Sequence, residues 1–429
     1  MAISTDPSPS SAIDENGTGN QAGEHLTIIS ADCHAGGSHK AYREYLDPAY
    51  LEDFDAWRAK YKNPFKDLGD NRRLRNWDNE MRNSQQEADG VVAEVLFPNT
   101  VPPFFPSFVL FAPPPPPEDY QHRLAGIRAH NRWLVDWCNE FPERRAGIGQ
   151  IFINDVDDAI EDVRWIKEHG LRGGVLLPNP PPDVTWVKPL YDPYYEPLWN
   201  VCEELEIPVH CHGGIGVPDY GSGPLSMVMY ITEVGFYSQR PFVHLLLSGV
   251  FERHPRLKFV MTEMGASWIP AMLDQLDGTL NMIRGTGAQG ELRFDQNHVL
   301  PKSASEYFAQ NCWVGMSQPT KADAAIRHRL GTDRLMWGSD YPHDEGTYPL
   351  SRENLRAVFS DLEPTEMHKI LSGNAAALYD FDLKALAPLG NKFGPTMGEL
   401  TQPLEDLPEN ANEALRRAVK NRSSTSVTL

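Results

Sequence analysis

Cysteine is scarce in this chain of 429 residues, and the five that occur (Cys33, Cys138, Cys202, Cys211, Cys312) are odd in number, with no CxxC spacing. That excludes a disulfide framework or a structural zinc ribbon and points to a reducing, cytoplasmic compartment. Cations are also in short supply. Lys and Arg total 39 against 59 Asp and Glu, a formal charge of -20, which makes nucleic acid and anionic membrane poor partners. No run approaches the roughly 20 apolar residues of a membrane span. The N-terminal MAISTDPSPSSAIDENGTGNQ has neither the basic nor the apolar stretch of a secretory signal. There is no internal repeat and no glycine-rich nucleotide motif. The chain therefore reads as a soluble protein acting on a small molecule.

Hydrophobic residues make up 41% and charged residues 23%, enough for a sizeable core. Residues 1–24, rich in Ser, Asp, Asn and Gly, read as a disordered tail. Residues 384–429 read as a polar C-terminal arm, helical near Asn410–Val419 and able to lie on a neighbouring subunit in a homo-oligomer or in a hetero-oligomer with a related chain. Between them, residues 25–383 alternate short apolar runs with longer amphipathic stretches. The runs are HLTIISADCH (25–34), GVVAEVLFPN (90–99), RAGIGQIFIN (145–154), LRGGVLLPN (171–179), IPVHCHGG (207–214), LKFVMTEMG (257–265), NCWVGMS (311–317) and DRLMWGSDYPH (333–343). Continuous apolar strands separated by helices imply a parallel sheet covered on both faces, and eight of them imply a (β/α)8 barrel. DVDDAIEDVRWIKEHG (155–170) predicts one such helix, with Asp155 as N-cap, a stripe of Ala159, Ile160, Val163 and Ile166, and Gly170 as the stop. Insertions at 36–89 and 101–119 follow the first two strands. Both fall at the C-terminal mouth of a barrel, as a lid or substrate wall, or as packing loops.

Polar residues cluster where strands end. Asp32 and His34 share one face of the first strand, and His210 and His212 one face of the fifth. Glu263 closes the sixth, on the same face as Met261, and Asp340 and His343 close the eighth. A lone buried histidine is usually a hydrogen-bonded core residue. Recurrence of imidazole and carboxylate at four strand ends is different, because burying them without compensation is costly. A divalent cation such as zinc, iron or manganese resolves that cost. Trp268, Phe104, Phe105 and Tyr341 offer apolar walls or core packing.

These motifs, with HPRLKFVMTEMG (254–265), WGSDYPH (337–343) and ILSGNAAALYDFD (370–382), resemble the amidohydrolase superfamily over residues 26–382. The similarity is to the branch that includes aminocarboxymuconate semialdehyde decarboxylase. The resemblance implies Asp32 and His34 as the acidic-x-His form of the first metal motif. It selects His212 over His210 as the strand-five ligand, and makes Asp340 a metal ligand or the base that activates water. No lysine occupies Leu171–Asn179, so the carbamylated-lysine bridge of dinuclear members is not expected. Glu263 stands where many members have histidine. With His210 and His343 it opens a second metal site, or a direct catalytic role for Glu263 and His210. The expected activity is hydrolysis of a small organic acid, amide or ester by metal-activated water. The alternatives are a non-oxidative decarboxylase, a non-haem Fe/Fe or Fe/Mn monooxygenase, and a catalytically silent barrel subunit.

Overall fold

The computed structural model describes residues 21–62, 70–107, 112–296 and 299–420. Most of the predicted N-terminal tail, part of each insertion and the last nine residues lie outside them. Eight parallel strands form one sheet in chain order: β1 (Ile28–Ala35), β2 (Val91–Pro98), β3 (Arg145–Gln150), β4 (Gly174–Leu176), β5 (Val209–His212), β6 (Phe259–Thr262), β7 (Cys312–Ser317) and β8 (Leu335–Gly338). Seven lie within the predicted runs, and β1 extends one residue beyond its run, to Ala35. β8 closes on β1 through Asp340 N–H to Asp32 O at 2.8 Å and His34 N–H to Tyr341 O at 2.7 Å. The seam of the barrel thus runs through the candidate site. Gly338 permits the closure, since a Cβ there would meet the Asp32 Cβ at 2.7 Å.

Helices follow the strands and bury the outer sheet face. The helix Val156–Glu168 is capped by Asp155, whose carboxylate accepts from Asp157 N and Asp158 N, and it buries Ala159, Val163 and Ile166. Its chain reverses at Gly170, at φ +79°. Inside the barrel, Ile29, Ala93, Val95, Ala146, Ile148, Val260 and Met336 form a core closed by Tyr379 and Phe381. Outward residues such as Cys33, Val209, Cys211, Phe259, Met261 and Trp337 belong to the larger core beneath the helices.

The segment after β8 packs on its own barrel. Helix Leu383–Phe393 buries Leu386, and helix Glu413–Val419 buries Ala414, Leu415 and Ala418. The described part of the arm thus finds its apolar partners within the chain. The two insertions pack on each other through Phe104, which sits among Tyr50, Phe54 and Trp57, and on the barrel body through Phe104 against His122 and Phe105 against Phe152.

Candidate metal centre

The direction of each site residue depends on local backbone geometry. In β1, Ile29 and Ala31 point inward, so plain alternation would also send Cys33 inward and Asp32 and His34 outward. A register shift between Ser30 and Cys33 reverses the parity. Asp32 and His34 consequently face the barrel interior while Cys33 and Ala35 join the outer core. In β5 simple alternation suffices: His210 and His212 point in, and Val209 and Cys211 point out.

Glu263 corrects the sequence reading. Met261 faces outward, so a continued strand would carry Glu263 away from the site. Instead its backbone turns into the left-handed region at φ +56°, which swings the carboxylate inward. Gln318 (φ +49°) and Asp340 (φ +60°), just past β7 and β8, do the same. Such strain in non-glycine residues is costly and concentrates at functional sites.

The side chains meet at one buried point. Asp32 Oδ1 lies 3.4 Å from His34 Nε2 and 3.7 Å from His212 Nε2, and His34 Nε2 lies 3.3 Å from Asp340 Oδ1. Glu263 Oε2 is 3.3 Å from His212 Nδ1. Asp32, His34, His212 and Glu263 offer ligand atoms all within 4.8 Å of one another. The remaining contacts orient them. His212 Nδ1–H donates to Gly213 O at 2.8 Å, and His34 Nδ1 faces Pro98 O at 3.4 Å. That leaves the Nε2 lone pairs turned inward. Ser317 Oγ–H donates to Asp32 Oδ2. What is left over is Asp32 Oδ1, His34 Nε2 and His212 Nε2, all buried and without hydrogen-bond partners among the described residues. Three electron-pair donors converging with no proton between them is what a divalent cation fits, with second contacts fixing each ligand's orientation.

The charges of the cluster carry the same imprint. Burial opposes ionisation of Asp32, but the adjacent His212 and His34 rings hold the carboxyl well below the usual range. Burial, then the charges of Asp340 and Asp32, push Glu263 well above its ordinary value. Burial and His343 depress His34, but Asp32 and Asp340 outweigh them and raise it. A cation among these groups relieves the repulsion on Glu263.

Two predicted residues are placed differently. His210 is not brought into the cluster. Its Nε2–H donates to Gly173 O at 2.8 Å, its ring stacks on Tyr379, and burial lowers it to about 3, so it is a neutral ring deeper in the barrel. His343 adjoins the cluster, yet both its nitrogens are engaged, Nδ1 with Asp340 Oδ1 at 2.8 Å and Nε2 with Asn99 Oδ1 at 2.9 Å. Burial opposes its charge, but Asp340 raises it to about 10. In this arrangement both nitrogens are committed to oxygen partners, while His34, Asp340 and His343 form a further group whose ligand atoms lie within 4.8 Å of one another. Of the expected apolar walls, Phe105 packs with Phe152, and Tyr341 is buried over Arg82 with its hydroxyl on Gln85. Trp268 packs near Phe242. The ring that does border the histidines is Phe97, 4.5 Å from His212 and 5.8 Å from His34. Sequence reasoning also missed Ser317, Gln318, Asn99 and Glu345, the last of which groups with Glu263 and Asp340. The first three are polar residues at or just beyond the ends of β7 and β2, the same signal that marked the others.

A model of the amidohydrolase family matches residues 77–381. The chain belongs to the amidohydrolase family. Among curated relatives, the gamma-resorcylate decarboxylase of Rhodococcus jostii (strain RHA1) is 25% identical over 273 residues, 59% of this chain and 76% of that protein. The gamma-resorcylate decarboxylase of Rhizobium sp. (strain MTP-10005) is 24% identical over 240 residues, covering 53% and 68%. In fold, this amidohydrolase is similar to the structure of 5-carboxyvanillate decarboxylase from Novosphingobium aromaticivorans with manganese and 4-hydroxy-3-methoxy-5-nitrobenzoic acid. That match has a TM-score of 0.63 at 20% identity and covers 86% of this chain and 100% of the other. The expectation of a hydrolase is corrected by these relatives, which are decarboxylases. The chain is an enzyme of the superfamily with a cluster of potential metal ligands, and no helix among the described residues is long and apolar enough to cross a membrane.

Proposed function

We propose that this amidohydrolase is a metal-dependent non-oxidative decarboxylase of a small hydroxylated aromatic acid. The observation that carries the reading is the convergence of Asp32 Oδ1, His34 Nε2 and His212 Nε2, buried and unpartnered. Those three residues, with the Glu263 and Asp340 carboxylates beside them, would hold one divalent ion, and manganese suits a mixed imidazole and carboxylate set. When bound, the ion supplies a Lewis acid that attracts substrate oxygens and withdraws charge from them.

The remaining chemistry belongs to the side chains. Decarboxylation of an aromatic acid needs a proton at the ring carbon that carries the carboxylate. The new C–H bond forms there, the C–C bond breaks, its electron pair restores the ring, and carbon dioxide leaves. Burial opposes ionisation of Asp340, but His343 and His34 hold its carboxyl below the usual range, so in this reading the proton starts on His343 Nδ1 and passes through the Asp340 carboxylate to the ring carbon. Asn99 Oδ1 accepts from His343 Nε2 and holds the imidazole in line. Phe97 supplies the apolar wall against which an aromatic ring packs and from which water is excluded. The outward-facing Cys33 and Cys211 take no part.

The test is carbon dioxide release from a panel of ortho-hydroxybenzoates by protein stripped of metal and then reloaded with Mn2+. The expected result is turnover restored by Mn2+, with one carbon dioxide per decarboxylated phenol. Asp340→Asn should lose at least about 100-fold in kcat, the scale of a lost general acid. Metal-loaded protein that releases no carbon dioxide from any member of the panel would refute the assignment.

A further inference from the structure

Beyond residue 381, where the family match ends, the chain returns to the barrel mouth. Asn412 fixes this return. Its side-chain oxygen accepts from Leu415 N, capping helix Glu413–Val419. Its amide donates to the carbonyls of Gly346 at 3.0 Å and Thr347 at 3.1 Å, in the loop that follows Asp340. With Ala414, Leu415 and Ala418 buried, the helix has one seating, and that seating presents Arg417 to the site.

Arg417 donates through Nη2 to Gln318 Oε1, and Gln318 Nε2 donates to Asp340 Oδ2 at 2.5 Å. The chemistry leaves one orientation for the amide. A guanidinium only donates and a carboxylate only accepts, so the glutamine must turn its oxygen to one and its nitrogen to the other. The backbone of Gln318 is held at φ +49° to reach both. The other Asp340 oxygen is shared by His343 and His34. Each oxygen of the carboxylate is therefore held from a different side, one from within the barrel and one from the C-terminal arm.

We infer that Arg417 is a positioning residue of the active centre, which acts through Gln318 to hold the Asp340 carboxylate and makes the C-terminal arm part of the catalytic unit. The catalytic half of this inference rests on the decarboxylase reading given above. The structural half, that the relay steadies the groups around the metal, does not.

The experiment compares Arg417→Ala, Gln318→Ala, the double variant and Arg417→Lys with the full chain. It reads Mn2+ affinity by electron paramagnetic resonance titration, kcat and KM for carbon dioxide release, and the melting temperature. Loss of an outer partner of a metal-site carboxylate costs about 10–100-fold in metal affinity or activity. Each single variant is expected to lose about tenfold or more in Mn2+ affinity and in kcat, with KM little changed. The double variant should lose no more than the worse single, because both cut one chain. Arg417→Lys should recover part of the loss, since an ammonium still donates to Gln318. Mn2+ affinity equal to that of the parent protein, or losses that multiply in the double variant, would overturn the relay. A rise in KM with kcat retained would make Arg417 a substrate contact and also overturn it. Should Arg417→Ala fail to fold, Gln318→Ala reads the same link from the other end. If the parent protein turns over no aromatic acid, the decarboxylase reading fails while the Mn2+ titration still decides the relay.

Discussion

Arg82→Met should unfold this protein more readily than any comparable surface change. Arg82 is completely buried and faces Glu94 with Nε at 2.9 Å from Oε1 and Nη2 at 2.5 Å from Oε2. Its Nη1 donates to the backbone carbonyls of His34 and Arg75, each at 2.8 Å, and its guanidinium lies 4.8 Å from the centre of the Tyr341 ring. Methionine keeps much of the volume and removes every one of these contacts. Glu94 is then left buried with Gln86 and with Arg145 Nε at 3.6 Å. Breaking a buried pair from one side costs about 3–5 kcal/mol, and each orphaned carbonyl adds about 1–3 kcal/mol. The residual Arg145 contact and protonation of Glu94 offset part of this, so we expect a net loss of about 3–5 kcal/mol. Against a total stability of about 5–15 kcal/mol, that is a large fraction. The assay is urea unfolding followed by circular dichroism and tryptophan fluorescence, with Glu94→Leu and the double variant completing the cycle. The double variant should recover much of the loss, because it removes both charges. Mn2+ affinity should fall as well in Arg82→Met, since the carbonyl it held belongs to His34. A loss below about 1 kcal/mol, or a double variant no better than Arg82→Met, would refute the reasoning.

Three further outcomes follow from the same structure. His212→Ala should abolish Mn2+ binding while far-ultraviolet circular dichroism stays native, because the ring makes one backbone hydrogen bond and otherwise faces the metal point; metal retained at parental affinity would contradict that. Gly126→Ala should lose about 1–3 kcal/mol and loosen residues 101–107 to limited proteolysis, since a Cβ there would lie 2.2 Å from Pro103 O; unchanged stability and cleavage would count against this packing. Burial pushes Asp89 up to about 6, against the opposing hydrogen bonds from Ser351 N and Oγ. Its folded value thus exceeds the unfolded one of about 3.9, so its contribution is most favourable at low pH and is lost as pH rises through about 4–6. Asp89→Asn should therefore gain about 1–3 kcal/mol relative to the parent between pH 4 and pH 7.5, and a pH-independent difference would show that Asp89 ionises normally.

The strands were legible because buried parallel strands must be apolar throughout, and all eight runs became strands. The cluster was legible for a related reason: imidazole and carboxylate at the ends of such runs have few stable uses without a cation. The facing of those residues was not legible. The Ser30–Cys33 register shift that turns Asp32 and His34 inward leaves no mark in composition or spacing. Glu263 was placed near the metal on the strength of a face it does not share, and reaches it through a left-handed backbone. Alternation alone does not separate His210 from His212; the family resemblance selected His212, and the structure gives His210 a carbonyl partner inside the barrel and His212 an open lone pair. Arg417 could not be assigned either, because a seven-residue helix nearly eighty residues beyond Asp340 announces no contact with it.

The most direct test of the central claim is an anomalous-difference map at the manganese edge from crystals of the Mn2+-loaded protein. One strong peak per chain is expected within about 2.0–2.3 Å of Asp32 Oδ1, His34 Nε2 and His212 Nε2, the usual range for first-row ligand bonds. A peak outside that triangle, or full loading with no peak there, would contradict it.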